Sequence, residues 1–481
     1  MERRVAQGLV PDARAEPVDH PWLSTGLAVA IGLGLVLVAY AVYTASDPDR
    51  YYNHFVWQAD AFLQGRVAIE YPLPENAFFQ DVLELYDAVG NPTGYALLPF
   101  PPMPAIVLLP FVAIWGLATD QQTVSVLLAA ADVGLCWWML GRLGISVLVR
   151  LAVTIFFGFG TVFWYAAQLG TTWFFAHVVA IGFGLLAVGV AIGADPGSVE
   201  PDETWSAEAD TGWREPGADR ADIGLLDRRQ VLAGFLLGLA ATARLPIVLG
   251  APFLILVGGG RSVWRRTLSA AVGGIVPVAL LLAYNLATSG SLLHAAYEDL
   301  YRREANGYPQ LGYHPDWAIE DPRYLPGNTA LMLLSTPIVS PASDPSSLGS
   351  SYDFCTEPGA TRGLFDEDCP IAVPRDTGMS ILLTSPAYLL ALPAVVRGFR
   401  RSRLVTGATL AVLAIAIVNL MHFSQGWVQF GYRFSNDFVF FALPLVALGI
   451  GRRLGLMAAL LIGASLAVNL WGVIWGGILG W

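Results

Sequence analysis

The stretch SDPDRYYNHFVWQADAFLQGR, residues 46–66, follows about twenty apolar residues and brings together Asp47, Asp49, Asn53, His54, Trp57 and Asp60. A carboxylate can accept a proton, amide and imidazole groups can hydrogen bond a polar ligand, and an indole face can stack on one. The competing reading is structural: Asp49 would cap a helix over 50–65, with Asp47 supporting the positive end of its dipole. A second stretch, SQGWVQFGYRFSND at 424–437, offers Gln425, Trp427, Gln429, Tyr432 and Arg433, which are amides, aromatic faces and one cation in a short turn. There the structural alternative is an interfacial aromatic belt with Arg433 reaching out to water.

Arg244 stands apart because it interrupts an apolar segment, GFLLGLAATARLP at 234–246. An ionisable side chain there costs ~2.5–3.5 kcal/mol on insertion scales and marks either a site or a buried partner. His177 and His422 lie near the ends of apolar runs, in positions to contact a ligand. No H-x-x-E-H spacing accompanies them, so no metal site is predicted, and a divalent ion on loop carboxylates is the one cofactor left open.

These residues must be held by membrane-spanning helices. Hydrophobic residues make up 55% of the 481 and charged residues 14%, and mean hydropathy is +0.55, which no soluble domain of this size shows. The net charge of −11 argues against nucleic acid as a partner, and the positive residues are all arginine, which removes Schiff-base and P-loop lysine chemistry. The first apolar run, Leu23 to Val42, is long enough to span and is expected to stay as a transmembrane helix behind a cytoplasmic tail, 1–22. Further apolar segments lie near 123–141, 147–168, 172–194, 230–259, 267–288, 380–397, 404–422, 436–451 and 455–478.

With the N-terminus inside, the predicted inner connections hold 18 arginines and the longer outer ones 8, which fixes the orientation. That arrangement needs 99–118, with five prolines from Pro99 to Pro110, to lie at the outer surface or to dip in and return. It also needs 230–259 to be a broken pair of short helices at Arg244 and Pro246. An all-α polytopic protein of about eleven transmembrane helices follows, one domain over 23–481 with two large outer loops, 46–122 and 289–379. In the second loop Cys355 and Cys369 are spaced to form a disulfide in an oxidising compartment. The acidic Pro- and Gly-containing segment 195–227 reads as a flexible cytoplasmic linker.

If 50–65 is helical, Phe55, Ala59 and Phe62 form one stripe and Asn53, Trp57, Asp60 and Gln64 another. Such a helix would lie flat at the membrane surface, rings among the headgroups. A first outer loop that opens with acidic residues, continues as an aromatic amphipathic helix and ends in a double proline resembles the GT-C superfamily of membrane glycosyltransferases. Within it, the branch of protein O-mannosyltransferases and bacterial aminoarabinose transferases (family 39-like) is the most similar. The Asp-Glu pair of that branch corresponds to Asp47-Pro48-Asp49-Arg50-Tyr51, and its Lys/His-Pro-Pro-Leu element to Phe100-Pro101-Pro102-Met103. GFLLGLAATARLP is similar to its Gly-Leu-Ala…Thr-Arg/Lys segment, and GWVQFGYRF, 426–434, to a late outer turn. The likeness covers most of the chain in architecture through loose motifs. It departs where the Asp-Glu pair is not intact and where Phe100 stands in place of the basic residue that in relatives lies near the donor phosphate.

The resemblance implies a cell-membrane, multi-pass enzyme, its active site on the extracytoplasmic side, moving a sugar from a polyprenyl-phosphate-linked donor to an acceptor that is a protein, a lipid or a cell-wall glycan. It implies a catalytic base among Asp47, Asp49 and Asp60. Arg433, Arg244 and Tyr432 would serve the donor phosphate, and Asn53, His54, Trp57, Gln425, Trp427, Gln429 and His177 the sugar or acceptor. Other classes fit the composition too: a transporter or lipid flippase, for which the broken 230–259 segment and Arg244 speak, or a catalytically inactive GT-C-like scaffold.

Overall fold

A computed structural model of the chain describes residues 24–45, 52–73, 81–195, 224–294, 300, 314, 316–343 and 353–481. The N-terminal tail, most of the acidic linker, Asp47 and Asp49 lie outside the described residues. The fold is mostly helical. In chain order the helices are α1 Thr25–Tyr43, α2 His54–Leu63, α3 Met103–Trp115, α4 Gln121–Leu140, α5 Val147–Phe159, α6 Phe163–Leu169, α7 Thr172–Ala194 and α8 Arg228–Ala241. They continue as α9 Ala251–Leu256, α10 Val263–Ser289, α11 Leu325–Leu334, α12 Ile381–Thr384, α13 Leu392–Gly398, α14 Arg403–Met421, α15 Val439–Ile450 and α16 Leu456–Ile478.

Many starts are written locally in the chain. Ser24, Asp120, Ser146, Asp227, Ser262 and Ser402 each accept a backbone N–H of the first turn with their side chain, at the edge of an apolar run. Among the described residues six helices, α1, α4, α7, α10, α14 and α16, are long and apolar enough to cross a membrane. The bent pair α5 and α6, 49° apart, raises the number to seven if it forms one span. The remaining apolar segments are built of shorter pieces. α3 reaches only 13 residues with Pro110 inside it, and the segment 380–397 is divided among α12, a 3-10 turn and α13. The segment 230–259 is indeed broken: α8 ends at Thr242, Arg244 is extended, and Leu245–Gly250 continues as a 3-10 turn before α9.

α4 and α7 run side by side in the same direction. At one end Gln121 and Gln122 donate to the carbonyls of Gly170 and Gln168 at 2.7 and 2.8 Å. At the other, Arg229 lies 3.5 Å from the Gly193 carbonyl, and Arg403 pairs with the buried Asp195 at 2.9 Å. α8 and α10 touch backbone to backbone, since a Cβ on Gly234 would lie 2.1 Å from the Ala270 carbonyl oxygen. Small residues allow this approach where lipid supplies no hydrophobic drive between helices. α1 packs on α4 through Trp137, whose Nε1 donates to the Ala28 carbonyl at 2.8 Å, while Leu27, Val29, Leu33 and Leu37 stay exposed on its outer side.

The first loop carries a three-stranded antiparallel sheet in which β3 Pro92–Leu97 lies between β1 Ile69–Glu70 and β2 Leu83–Tyr86. The second holds a two-stranded pair, β4 Ile338–Val339 with β5 Ala372–Val373, and a Cys355–Cys369 disulfide.

The helix of the first loop differs from its sequence reading in two respects. It opens at His54 with Asn53 at the N-cap position, four residues beyond Asp49, which lies outside the described residues. Nor does its apolar face meet headgroups. Phe55 is buried against Phe100 and Phe175, ring centroids 5.8 and 6.1 Å away, because α3 and α7 offer it a protein surface. The Asn53, Trp57, Asp60 and Gln64 stripe does stay on the more exposed side.

Candidate functional site

Three separate parts of the chain converge on Asp437. This aspartate ends a 3-10 turn, Arg433–Asp437, just before α15, and is fully buried. Arg244 meets it with two bonds, Nε to Oδ1 and Nη2 to Oδ2, each 3.0 Å. The geometry exists because Pro246 cannot continue a helix, so the chain leaves α8 and turns Arg244 across to the other segment. His177, on the second turn of α7, places Nδ1 3.0 Å from Asp437 Oδ1. Asn419, near the end of α14, donates to Oδ2 at 3.0 Å. The buried partner that an arginine in an apolar segment demands is therefore Asp437.

Arg433 stands on the far side of the same turn. Its guanidinium carbon is 5.2 Å from the Phe434 ring centre, and that of Arg244 is 5.3 Å from the same ring. Arg433 also stacks over Phe174 at 5.6 Å. Both arginines are half-buried while the carboxylate beside them is sealed, so positive charge is presented and negative charge is hidden.

The network extends through the late turn. Gln425 Nε2 donates to the carbonyl of Asn419 at 3.0 Å, and Gln429 Nε2 to those of Gln425 and Thr377 at 2.9 and 3.0 Å. Gly426 has φ +109°, and a Cβ there would lie 2.2 Å from Gln429 Oε1 and 2.8 Å from Arg433 Nε. Glycine is thus required for both its backbone angle and its lack of a side chain. Trp427 donates from Nε1 to Asp376 at 3.0 Å, which ties the turn to the end of the second large loop. Tyr432 is fully buried and neither belongs to a surface belt nor faces outward.

The second loop docks beside His422, whose Nδ1 is 3.2 Å from Glu320. Next to it, Arg323 binds Asp321 through two side-chain hydrogen bonds of 2.9 and 2.6 Å, which hold that carboxyl well below the usual carboxylate range.

The start of α7 connects this cluster to the first loop. Thr172 Oγ1 donates to the Tyr52 carbonyl at 2.8 Å and lies 2.8 Å from His54 Nδ1. Trp173 donates to Asp81 at 2.7 Å, Phe174 carries Arg433, Phe175 meets Phe55, and His177 reaches Asp437. His54 is buried among Tyr52, Trp57, Phe100 and Trp173, with centroids 4.8–6.1 Å from its own. The double-proline element arrives at the same level: the Met103 N–H donates to the Thr242 carbonyl at 3.3 Å, two residues from Arg244.

Arg244, Arg433, His177, Gln425, Gln429 and Tyr432 thus come together in one neighbourhood, while Trp427 braces it from outside. His54 and Trp57 form a separate aromatic group, and Asn53 sits at the start of α2 without a side-chain capping bond. Asp60 accepts from Gln64, one turn further on, at 2.6 Å and touches none of the cluster. Asp47 and Asp49 lie outside the described residues, which resume at Tyr52. Reading the sequence for chemistry passes over Asp437, although it ends the 424–437 stretch. The signal that finds it is charge balance, because Arg244 needs a buried acid and few exist. Among the described residues no three His, Cys, Asp or Glu side chains gather in a metal-binding set. No protein-family model matches the chain, and neither does any curated protein or solved structure.

Proposed function

We propose that the protein is a GT-C-like glycosyltransferase of about eleven membrane crossings. In this reading it transfers a sugar from a polyprenyl-phosphate donor to an acceptor on the extracytoplasmic side of the cell membrane. The observation that carries the reading is the pair Arg244 and Arg433, two half-buried guanidiniums 5.3 and 5.2 Å from the centre of the Phe434 ring, where both large loops meet the helices. Departure of a phosphate develops negative charge, and preorganised cations in a water-poor site stabilise it more than water does. Asp437 holds Arg244 in place for that role. Arg244 also takes the place of the basic residue that Phe100 lacks, since the double-proline element is bonded to Thr242 beside it.

A first-loop aspartate, Asp47, Asp49 or Asp60, accepts the proton of the acceptor hydroxyl as that oxygen attacks the anomeric carbon. The bond from that carbon to the phosphate oxygen breaks, and the phosphate leaves toward the two arginines. The test uses sealed right-side-out vesicles carrying the protein and radiolabelled polyprenyl-phosphate sugars. One of Asp47→Asn, Asp49→Asn and Asp60→Asn should lower transfer by about 10²–10⁴-fold while expression is unchanged. Wild-type transfer by all three variants would remove the first loop from catalysis, and no transfer by the parent protein with any sugar would remove the function.

A further inference from the structure

Three buried side chains of the cluster have their hydrogen-bonding polarity fixed by their partners. Gln425 Nε2 faces the carbonyls of Asn419 and His422, Gln429 Nε2 faces those of Thr377 and Gln425, and His177 Nδ1 faces the Asp437 carboxylate. Carbonyls and carboxylates only accept, so both amides are oriented, and a proton on Nδ1 is the His177 tautomer that suits the carboxylate 3.0 Å away. The group left over is an acceptor each time: Gln425 Oε1, Gln429 Oε1 and His177 Nε2. All three are buried without a hydrogen-bond partner, as are His177 Nδ1, the Tyr432 hydroxyl and both Oδ1 and Nδ2 of Asn436, which is 1% exposed. Buried polar atoms are nearly always satisfied, and a group of them on one turn and the helix beside it points to a ligand.

The chemistry of that ligand follows from the acceptors. Phosphate and carboxylate oxygens accept and cannot answer them. An ammonium donates, but it would stand beside Arg244 and Arg433 and be repelled. Hydroxyl groups donate without charge. Resting on the glycosyltransferase reading, we infer that the 424–437 turn and His177 hold the sugar ring of the donor, and that they select an uncharged, hydroxyl-bearing hexose over amino sugars.

Direct binding to the purified full chain separates this inference from the function beneath it. The probes are farnesyl phosphate and farnesyl phosphates bearing mannose, glucose, galactose or 4-amino-4-deoxyarabinose. At least one neutral hexose should bind about tenfold or more tighter than farnesyl phosphate, because a site built to bond hydroxyls discriminates strongly. The amino sugar should bind no tighter than farnesyl phosphate. If it matches the best hexose, or if farnesyl phosphate equals them all, the inference falls while phosphate recognition stands. If no probe binds, farnesyl phosphate included, the function falls with it. Asn436→Leu loses no hydrogen bond within the protein, so it should fold, reduce the hexose advantage by roughly tenfold and leave farnesyl phosphate binding unchanged. An undiminished advantage in that variant overturns the placement of the sugar at this turn.

Discussion

Asp437 and Asp132 are two acids buried in the same apolar bundle, 0% and 3% exposed, with opposite surroundings. Asp437 receives Arg244, His177 and Asn419. Asp132, on α4, lies against Gly182 of α7, where a Cβ would come within 2.7 Å of its Oδ1, and its Oδ2 has no hydrogen-bond partner. No arginine or histidine pairs with it among the described residues. Burial of an acid is therefore not what distinguishes the candidate site. The distinction lies in the convergence of donors from several elements, which makes Asp437 an anchor for Arg244.

The sharpest break of this contrast is Asp437→Asn, which strands Arg244 and His177. Removing one partner of a buried pair costs 3–5 kcal/mol, and because Arg244 reaches solvent the loss should be about 3 kcal/mol. Thermal unfolding of the purified protein in detergent should show a large fall, partly recovered by adding Arg244→Gln. Unfolding at the parental temperature would put the two aspartates on the same footing. A smaller effect is expected at Gly182→Ala, whose methyl meets the Asp132 carboxylate. Overpacking of this kind costs roughly 1 kcal/mol, and Asp132→Ala in the same chain should relieve it. If the pair of changes is no more stable than Gly182→Ala alone, the carboxylate is not what fills that space. The smallest change is Asp132→Asn, under ~1 kcal/mol in either direction with sugar transfer retained, since no bonded partner is lost. A loss as large as at Asp437 would show that Asp132 too is an anchor.

Local chemistry makes much of the fold legible. Ser24, Asp120 and Asp227 announce helix starts because a short polar side chain can reach an unbonded N–H only at that point. Pro246 and the prolines of 99–118 announce breaks because they lack a donor and clash with the preceding turn. Cys355 and Cys369 are close enough in the chain to be paired on sight. The start of α2 is less legible, because Asp47 and Asp49 are good capping residues and nothing local says that the helix waits for His54. Phe55 reads as a headgroup contact because amphipathicity does not reveal whether lipid or α7 covers the apolar face.

At the site, the residue types of the late turn and of Arg244 are readable as chemistry, whereas their arrangement is not. Apolar length, caps, prolines and arginine placement are properties of a few neighbouring residues, so a chain displays them without being folded. Arg244 and Asp437 are 193 residues apart, and the same arginine could as well have been neutralised by Asp132. Coulomb attraction between them depends on separation in space to within a few ångströms. That separation is set by how α7, α8 and α14 pack around the 433–437 turn, and by glycines whose missing side chains let backbones meet.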